Sequence, residues 1–272
     1  MIKKLYPNGK SKAFNLSYDD GVLQDVRLVN LVNKYGFKAT FNLNSALAEA
    51  EFEWIHSSGL VVKRLPCNTL RTLYTGHEVA SHTRTHPYME NLTEAEILAE
   101  MQGDKIALEK LLGIQVSGFA VPFDYYSGLI ESCARKCGFE YARTSQESLS
   151  FHPSDNFFSW QGTVFHLNSR LDSFLDAFID TDEELAVFQL IGHSYDLDTE
   201  DLWDKTESIF KRITNSEDIL PMTHIEIVRY LRAMTKAQIS DTHITNNSET
   251  TLCFLVNDEV ITLSPHQTHK LS

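Results

Sequence analysis

Strand-like runs alternate with segments of helical period along most of this chain, and that alternation constrains the fold more than any other feature. "KAFNLSY" alternates apolar and polar residues and is followed by "VLQDVRLVNLVNKYG", whose apolar positions recur at helical spacing and stop at Gly36. "KATFNLN" and "EVASH" read as further strands. "TEAEILAEMQGDKIALEKLLG" reads as a helix opened by a Thr-x-x-Glu capping box at Thr93 and Glu96. The series continues with "SGFAVPF" (strand), "GLIESCARKCG" (helix), "YART" (strand), "RLDSFLDAFI" (helix) and "LAVFQLIGHSY" (a long apolar strand). "LWDKTESIFKRI" and "HIEIVRYLRAM" close it as helices. Repeated strand-then-helix units imply parallel strands joined by crossover helices. Six or seven such units in 272 residues predict an α/β fold, a closed or nearly closed barrel of six or seven parallel strands. A doubly wound dinucleotide fold lacks its usual support, because no Gly-x-Gly-x-x-Gly follows the first strand. Residues 1–238 form the expected barrel. From 239 to 272 the pattern turns to Thr and Val alternation with turn residues at "NNSE" and "VNDE", which predicts a β-rich extension packed on it.

Charge and cysteine usage narrow the function classes. A net charge of -13 with no basic stripe argues against nucleic acid, whose phosphates need clustered Lys and Arg, and against a polyanionic substrate. No run of about eighteen apolar residues is present, so no membrane-spanning helix is expected. The N-terminal "MIKKLYPNGKSKAF" lacks the apolar run and cleavage site of a signal peptide. The four cysteines follow no disulfide pattern; Cys133 and Cys137, four apart on one helix, read as core residues, with a metal pair the remote alternative. A cytoplasmic location is the expectation.

Polar residues collect where a parallel barrel places its chemistry, at the C-terminal ends of strands. Asp19 and Asp20 end the first strand, and Gly21 follows them. Alone, Asp-Asp-Gly is ordinary turn chemistry. His82 ends "EVASH" and His86 lies four residues on, in "SHTRTHP"; one helical turn stopped by Pro87 would bring both rings to one side. Two imidazoles and a carboxylate make a three-ligand set for zinc or a similar divalent ion, leaving a position open. His193 ends the longest apolar strand, in "QLIGHSYD". A lone histidine there is more often structural, but here it joins three other strand-end groups.

"LSYDDG", "SHTRTHP" and "LIGH", in that order at strand ends, resemble the first, second and fifth motifs of the polysaccharide deacetylases, carbohydrate esterase family 4 (CE4), over about residues 12–195. Tyr18 stands where a phenylalanine is commoner. The resemblance implies a distorted (β/α) barrel of about seven parallel strands with Asp20, His82 and His86 as metal ligands, Asp19 as general base and His193 as general acid. It also implies that the backbone N–H of Phe123 serves as an oxyanion donor. The family's third motif, Arg-x-Pro-Tyr-Gly, is altered: "FAVPFDYY" puts Ala120 in place of the arginine and Phe123 in place of the tyrosine. The fourth, an Asp-containing segment ending in Trp, leaves a trace in "FFSWQG" at Trp160. In the family that arginine and aspartate orient the base, so the departures predict a divergent member with a gap beside Asp19. Arg84, another hydrogen-bonding side chain or water would have to fill it, and Asp124 is the alternative base.

The expected activity is metal-dependent removal of acetyl groups from an N-acetylated or O-acetylated sugar or oligosaccharide. Zinc is the first choice of ion, with manganese, cobalt or nickel as alternatives. Trp160, Tyr125, Tyr126 and Tyr195 are candidates for stacking on sugar, Trp160 as the wall of an acetyl pocket. Two rivals stand beside this reading. One is hydrolysis of a C–N bond in a small amide, imide or ureide, which the missing arginine favours; the other is a carbohydrate-binding protein that keeps the metal without turnover.

Overall fold

The computed structural model describes residues 2–123 and 125–271, so Asp124 lies outside the described residues. Eight strands run parallel in one curled sheet. In spatial order they are Val164–Phe165, Ala186–His193, Lys12–Asp19, Thr40–Leu43, Glu78–Ser81, Gly118–Ala120, Tyr141–Glu147 and Trp160–Gly162. The first and last of these are joined by Thr163 alone, so the sheet is a nearly closed barrel. A ninth short strand, Ile219–Pro221, pairs parallel with the start of Lys12–Asp19. The barrel thus has at least one strand more than the periodicity predicts. The extra segments, Trp160–Gly162 and Val164–Phe165, are too short to carry a readable alternation.

The helices form where the apolar spacing places them. Asp25–Lys34, Glu94–Leu112, Gly128–Lys136, Leu171–Asp180, Trp203–Thr214 and His224–Met234 each turn a buried face to the sheet. The Thr93–Glu96 capping box is present, and Gly113 ends that helix at φ 69°. Cys133, Cys137 and Cys253 are buried, and all four cysteines are free.

Strand alternation sorts the two faces of the barrel. On Lys12–Asp19 the side chains of Phe14, Leu16 and Tyr18 join the apolar layer under the helices. Asn15, Ser17 and Asp19 belong to the other face and line a polar interior. There Asn15 donates to the carbonyl of Met222 at 2.8 Å and accepts from Gln189 at 2.7 Å. Asn42 donates to Ser17 at 3.0 Å and to Asp19 at 2.7 Å. A buried amide or hydroxyl without a partner costs roughly 1–3 kcal/mol, so these bonds fix the rotamers beneath the strand ends.

An antiparallel hairpin, Glu53–Ile55 with Val61–Lys63, is inserted ahead of the third barrel strand. The sequence pattern did not single it out. It is tied to the site by the bridge between Val22 and Arg64.

Residues 237–270 are β-rich. Ala237–Ile239, His243–Asn246 and Thr268–Lys270 form one small sheet. Leu252–Val256 and Glu259–Leu263 form a hairpin whose turn, Asn257–Asp258, has positive φ at both residues. That hairpin pairs with Ile2–Leu5, and both pack on the helix His224–Met234 through Tyr6, Tyr230, Leu231 and Phe254.

Candidate metal centre and active site

The C-terminal ends of the barrel strands border a cavity of about 570 Å³, lined by Asp19, Asp20, His82, His86, Phe123, His193 and Tyr195 among others. Asp20, His82 and His86 bring one ligand atom each to within 4.8 Å of the others. The Nε2 atoms of His82 and His86 lie 3.9 and 3.7 Å from Asp20 Oδ1. No helical turn brings the imidazoles together. The loop after His82 does so with positive φ at Thr83 (66°) and His86 (56°), while the hydroxyl of Thr83 accepts from the His86 N–H at 3.1 Å. Asp20 and Phe123 also have positive φ. Such backbone costs about 1–2 kcal/mol at each non-glycine residue, and its concentration at one rim marks a site held by its surroundings. Gly21 is required here: with φ 63°, a Cβ would lie 2.8 Å from Leu43 Cδ2.

The donor set fits a divalent ion. His82 binds the carbonyl of Ala120 through Nδ1 at 2.9 Å, which makes Nδ1 the N–H and leaves Nε2 with a lone pair toward Asp20. Asp20 Oδ1 is buried and accepts no hydrogen bond. The nearest guanidinium nitrogen, Arg64 Nη1, is 2.9 Å away with its N–H aimed elsewhere, at the carbonyl of Asp20 and at Asn44 Oδ1. Burial, with the charge of His82 added at His86, lowers both imidazoles below their ordinary value, His86 to about 4. Both imidazoles are therefore neutral at neutral pH, the form that could donate to an ion. Burial alone would raise Asp20, but Arg64 and the neighbouring histidines hold its carboxyl far below the usual range.

Each of the two adjacent acids has its own guanidinium. Arg64 takes Asp20, and Arg143 donates to Asp19 Oδ1, the oxygen that Asn42 also holds. Arg143 is buried on Tyr141–Glu147 and is the register partner of Ala120. The expected gap beside Asp19 is therefore filled, from the next strand over. Arg84 does not fill it; its side chain packs over Gly103 on the helix Glu94–Leu112. Burial would raise the Asp19 carboxyl, but Arg143, His82 and His193 outweigh it and hold it below the ordinary value.

His193 and Asp19 are register partners on neighbouring parallel strands. Their side chains lean apart: Asp19 toward Asn42 and Arg143, His193 toward Asp196, whose Oδ2 it meets through Nδ1 at 3.1 Å. Tyr195 stacks on the His193 ring at 4.9 Å. Burial opposes the charge on His193, yet Asp196, Asp20 and Asp19 raise it above the ordinary imidazole value.

The four aromatic residues expected to stack on sugar divide. Tyr195 lines the cavity and meets Trp54 of the inserted hairpin edge-on at 5.6 Å. Tyr126 instead donates to Glu131, Tyr125 packs against the apolar layer, and neither lines the cavity. Trp160 is buried between Phe157 and His224 and borders a separate, smaller cavity, so it forms no wall of the site. Its strand position is inward-facing, but it enters the barrel away from the rim. Beside His86, exposed Tyr88 stacks on Phe123 at 3.9 Å and 7°.

Residues 7–142 match the model of the polysaccharide deacetylase family, half of the chain. The chain belongs to the polysaccharide deacetylase family. It is 27% identical over 146 residues to a chitin deacetylase from Pestalotiopsis sp., a match covering 53% of this chain and 45% of that relative, under half its length. Its fold is shared with a putative polysaccharide deacetylase from Mycobacterium smegmatis (TM-score 0.62, 14% identity, 86% of this chain and 94% of that one). It is shared too with a family 4 carbohydrate esterase from Streptomyces lividans (TM-score 0.52, 18% identity, 77% and 91%). A CE4 family pseudoenzyme from Bacillus anthracis is also similar (TM-score 0.53, 16% identity, 83% and 68%). No described helix is long and apolar enough to cross a membrane.

Proposed function

We propose that this polysaccharide deacetylase relative is a metal-dependent hydrolase that removes acetyl groups from an N-acetylated, or O-acetylated, sugar or oligosaccharide. One observation carries the reading. A carboxylate poised by Arg143 and Asn42 stands beside an Asp-His-His ligand set, with an imidazole fixed by its own carboxylate at the same rim. A pure binding protein needs neither the poised base nor the fixed acid.

Asp20, His82 and His86 would hold the ion, zinc first by its preference for nitrogen ligands. A divalent ion bound there supplies Lewis acidity to the acetyl carbonyl and to the attacking water. Asp19 takes the proton that the water gives up as it attacks. Asn42 and Arg143 both bind Oδ1, so the second oxygen of Asp19 carries no hydrogen bond from the described residues. The N–H of Phe123, at the rim, would donate to the oxygen that gains charge. His193 holds its Nδ1 proton against Asp196 and so presents Nε2 to the cavity, from where it protonates the leaving nitrogen. Tyr195, backed by Trp54, offers a flat apolar face for a sugar ring.

Arg143 also removes the reason that Ala120 gave for a changed substrate class, since the base has its cationic partner after all. The deciding experiment measures acetate and ammonia released from a panel of acetylated sugars, oligosaccharides, small amides and ureides with added divalent ions. Acetate from the sugars supports the proposal. Ammonia from ureides, or turnover of small amides alone, replaces it with the C–N hydrolase; no release from any compound leaves a binding protein.

A further inference from the structure

Behind His193 runs a hydrogen-bonded chain through Asp196 and His166, two residues outside the motifs above. Asp196 Oδ2 receives His193 Nδ1 at 3.1 Å and, on the same oxygen, His166 Nε2 at 3.0 Å. His166 Nδ1 lies 3.0 Å from the hydroxyl of Tyr18. His166 and Tyr18 are buried. Directions follow from the donors. An ionised carboxylate only accepts, so both imidazoles place N–H toward Asp196. A neutral His166 then has its lone pair on Nδ1, and Tyr18 must donate to it. Burial lowers His166, which keeps the ring neutral, while its hydrogen bond and that of His193 outweigh burial at Asp196 and bring that carboxyl to about 2. The chain accordingly reads Tyr18 O–H to His166, His166 N–H to Asp196, and Asp196 receiving His193.

Two features of the sequence exist to admit His166. Gly192 precedes the acid because the His166 ring occupies its side-chain space: a Cβ there would lie 2.3 Å from His166 Nδ1. Tyr18, in place of a commoner phenylalanine, provides the hydroxyl that Nδ1 accepts from, and its ring meets His166 edge-on at 5.4 Å. A buried histidine with both nitrogens satisfied and a glycine cleared for it is more than core filling.

We infer that His166 is a positioning residue for the acid: it clamps Asp196 so that the carboxylate holds His193 in one tautomer and one ring orientation at the cavity. This rests on the deacetylase reading, and it acts through Asp196 without touching substrate. Asp196 sits in a helix of only six residues, Ser194–Thr199, so its side chain needs an anchor beyond its own backbone.

The test compares wild type with His166→Phe and His166→Gln, in the full chain loaded with zinc. Gln can place its side-chain N–H near the position of Nε2, whereas Phe fills the volume without a donor. The first readout is the tautomer of His193 from ring nitrogen–proton correlation spectra, which needs no turnover. The second is kcat and KM for an acetylated amino sugar against an activated acetate ester, whose leaving group needs no proton. Expected for His166→Phe are a mixture of His193 tautomers, an unchanged KM, and a loss of kcat on the amide at least tenfold greater than on the ester. His166→Gln should recover most of both. A single His193 tautomer in a folded His166→Phe, or equal losses on amide and ester, overturns the inference. So does a His166→Gln protein that folds but behaves as His166→Phe. If wild type releases no acetate from any sugar, the deacetylase reading fails, while the tautomer spectra still decide whether His166 fixes His193.

Discussion

Arg143 faces Ala120 across adjacent parallel strands and delivers to Asp19 the guanidinium that position 120 lacks. The charge has moved by one strand and kept its target. Replacing Arg143 with Met should therefore raise the Asp19 pKa by about 1–3 units, the usual influence of an adjacent Arg. A general base works only when deprotonated, so the acidic limb of kcat/KM should move up by that amount. Adding Arg at position 120 to this variant should move the limb back down if the two sites are interchangeable. An unmoved limb in Arg143→Met would show that Asp19 is not the titrating base.

His82→Ala should abolish metal retention, read by titration calorimetry, and with it acetate release. The far-UV circular dichroism should persist, because His82 sits at a strand end and not under the helices.

Asp19→Asn tests the base apart from the metal. The amide keeps the volume and cannot take the proton, so ion affinity should stay within a few-fold while kcat falls by about 10²–10⁴. A loss below threefold would move the role to another residue.

The pH profile should also report His193. Its pKa is raised above the ordinary 6.5, and a general acid works only when protonated. Activity on amides should persist above the pH at which an ordinary imidazole loses its proton and fall as pH rises through the folded value. Asp196→Ala removes the strongest support for that proton, so the alkaline limb should shift to lower pH, more visibly on amides than on activated esters.

Trp54→Ala should raise KM for an oligosaccharide by about two- to tenfold, the worth of one aromatic contact, with kcat little changed. Monosaccharide kinetics that suffer equally would place Trp54 in packing against Tyr195 and not in substrate binding.

The sequence carried those parts of the site that sit at the ends of regular elements. Asp19, Asp20, His82 and His193 each lie at the end of a run that reads as a strand, by alternation or as a bounded apolar run, so their placement at the strand ends was legible. Arg143 was harder because its meaning depends on register. Whether an inward side chain meets Ala120 or a neighbour two residues away is decided by pairing between strands, which a single sequence does not state. A charged residue inside the short strand "YART" was the available signal. Asp196 had one too, its i+3 spacing from His193. Arg64 had none, since it reaches Asp20 through a hairpin that follows no helical or strand period long enough to read. Trp160 misled because its three-residue strand is too short to read, and nothing in the sequence shows that its ring packs against Phe157 and His224 and not at the rim.

The pairing of Ile2–Leu5 with Leu252–Val256 has a consequence for how the molecule is made. Closing a contact over that separation in sequence is slow and entropically costly. During synthesis Ile2–Leu5 must wait, unpaired, until Leu252–Val256 has left the ribosome. Until then the apolar surfaces of Tyr6 and Tyr230, which end up sharing one cluster, stay open to other partners. Cells short of chaperone should therefore accumulate aggregates nucleated at this seam, before any fault shows in the barrel.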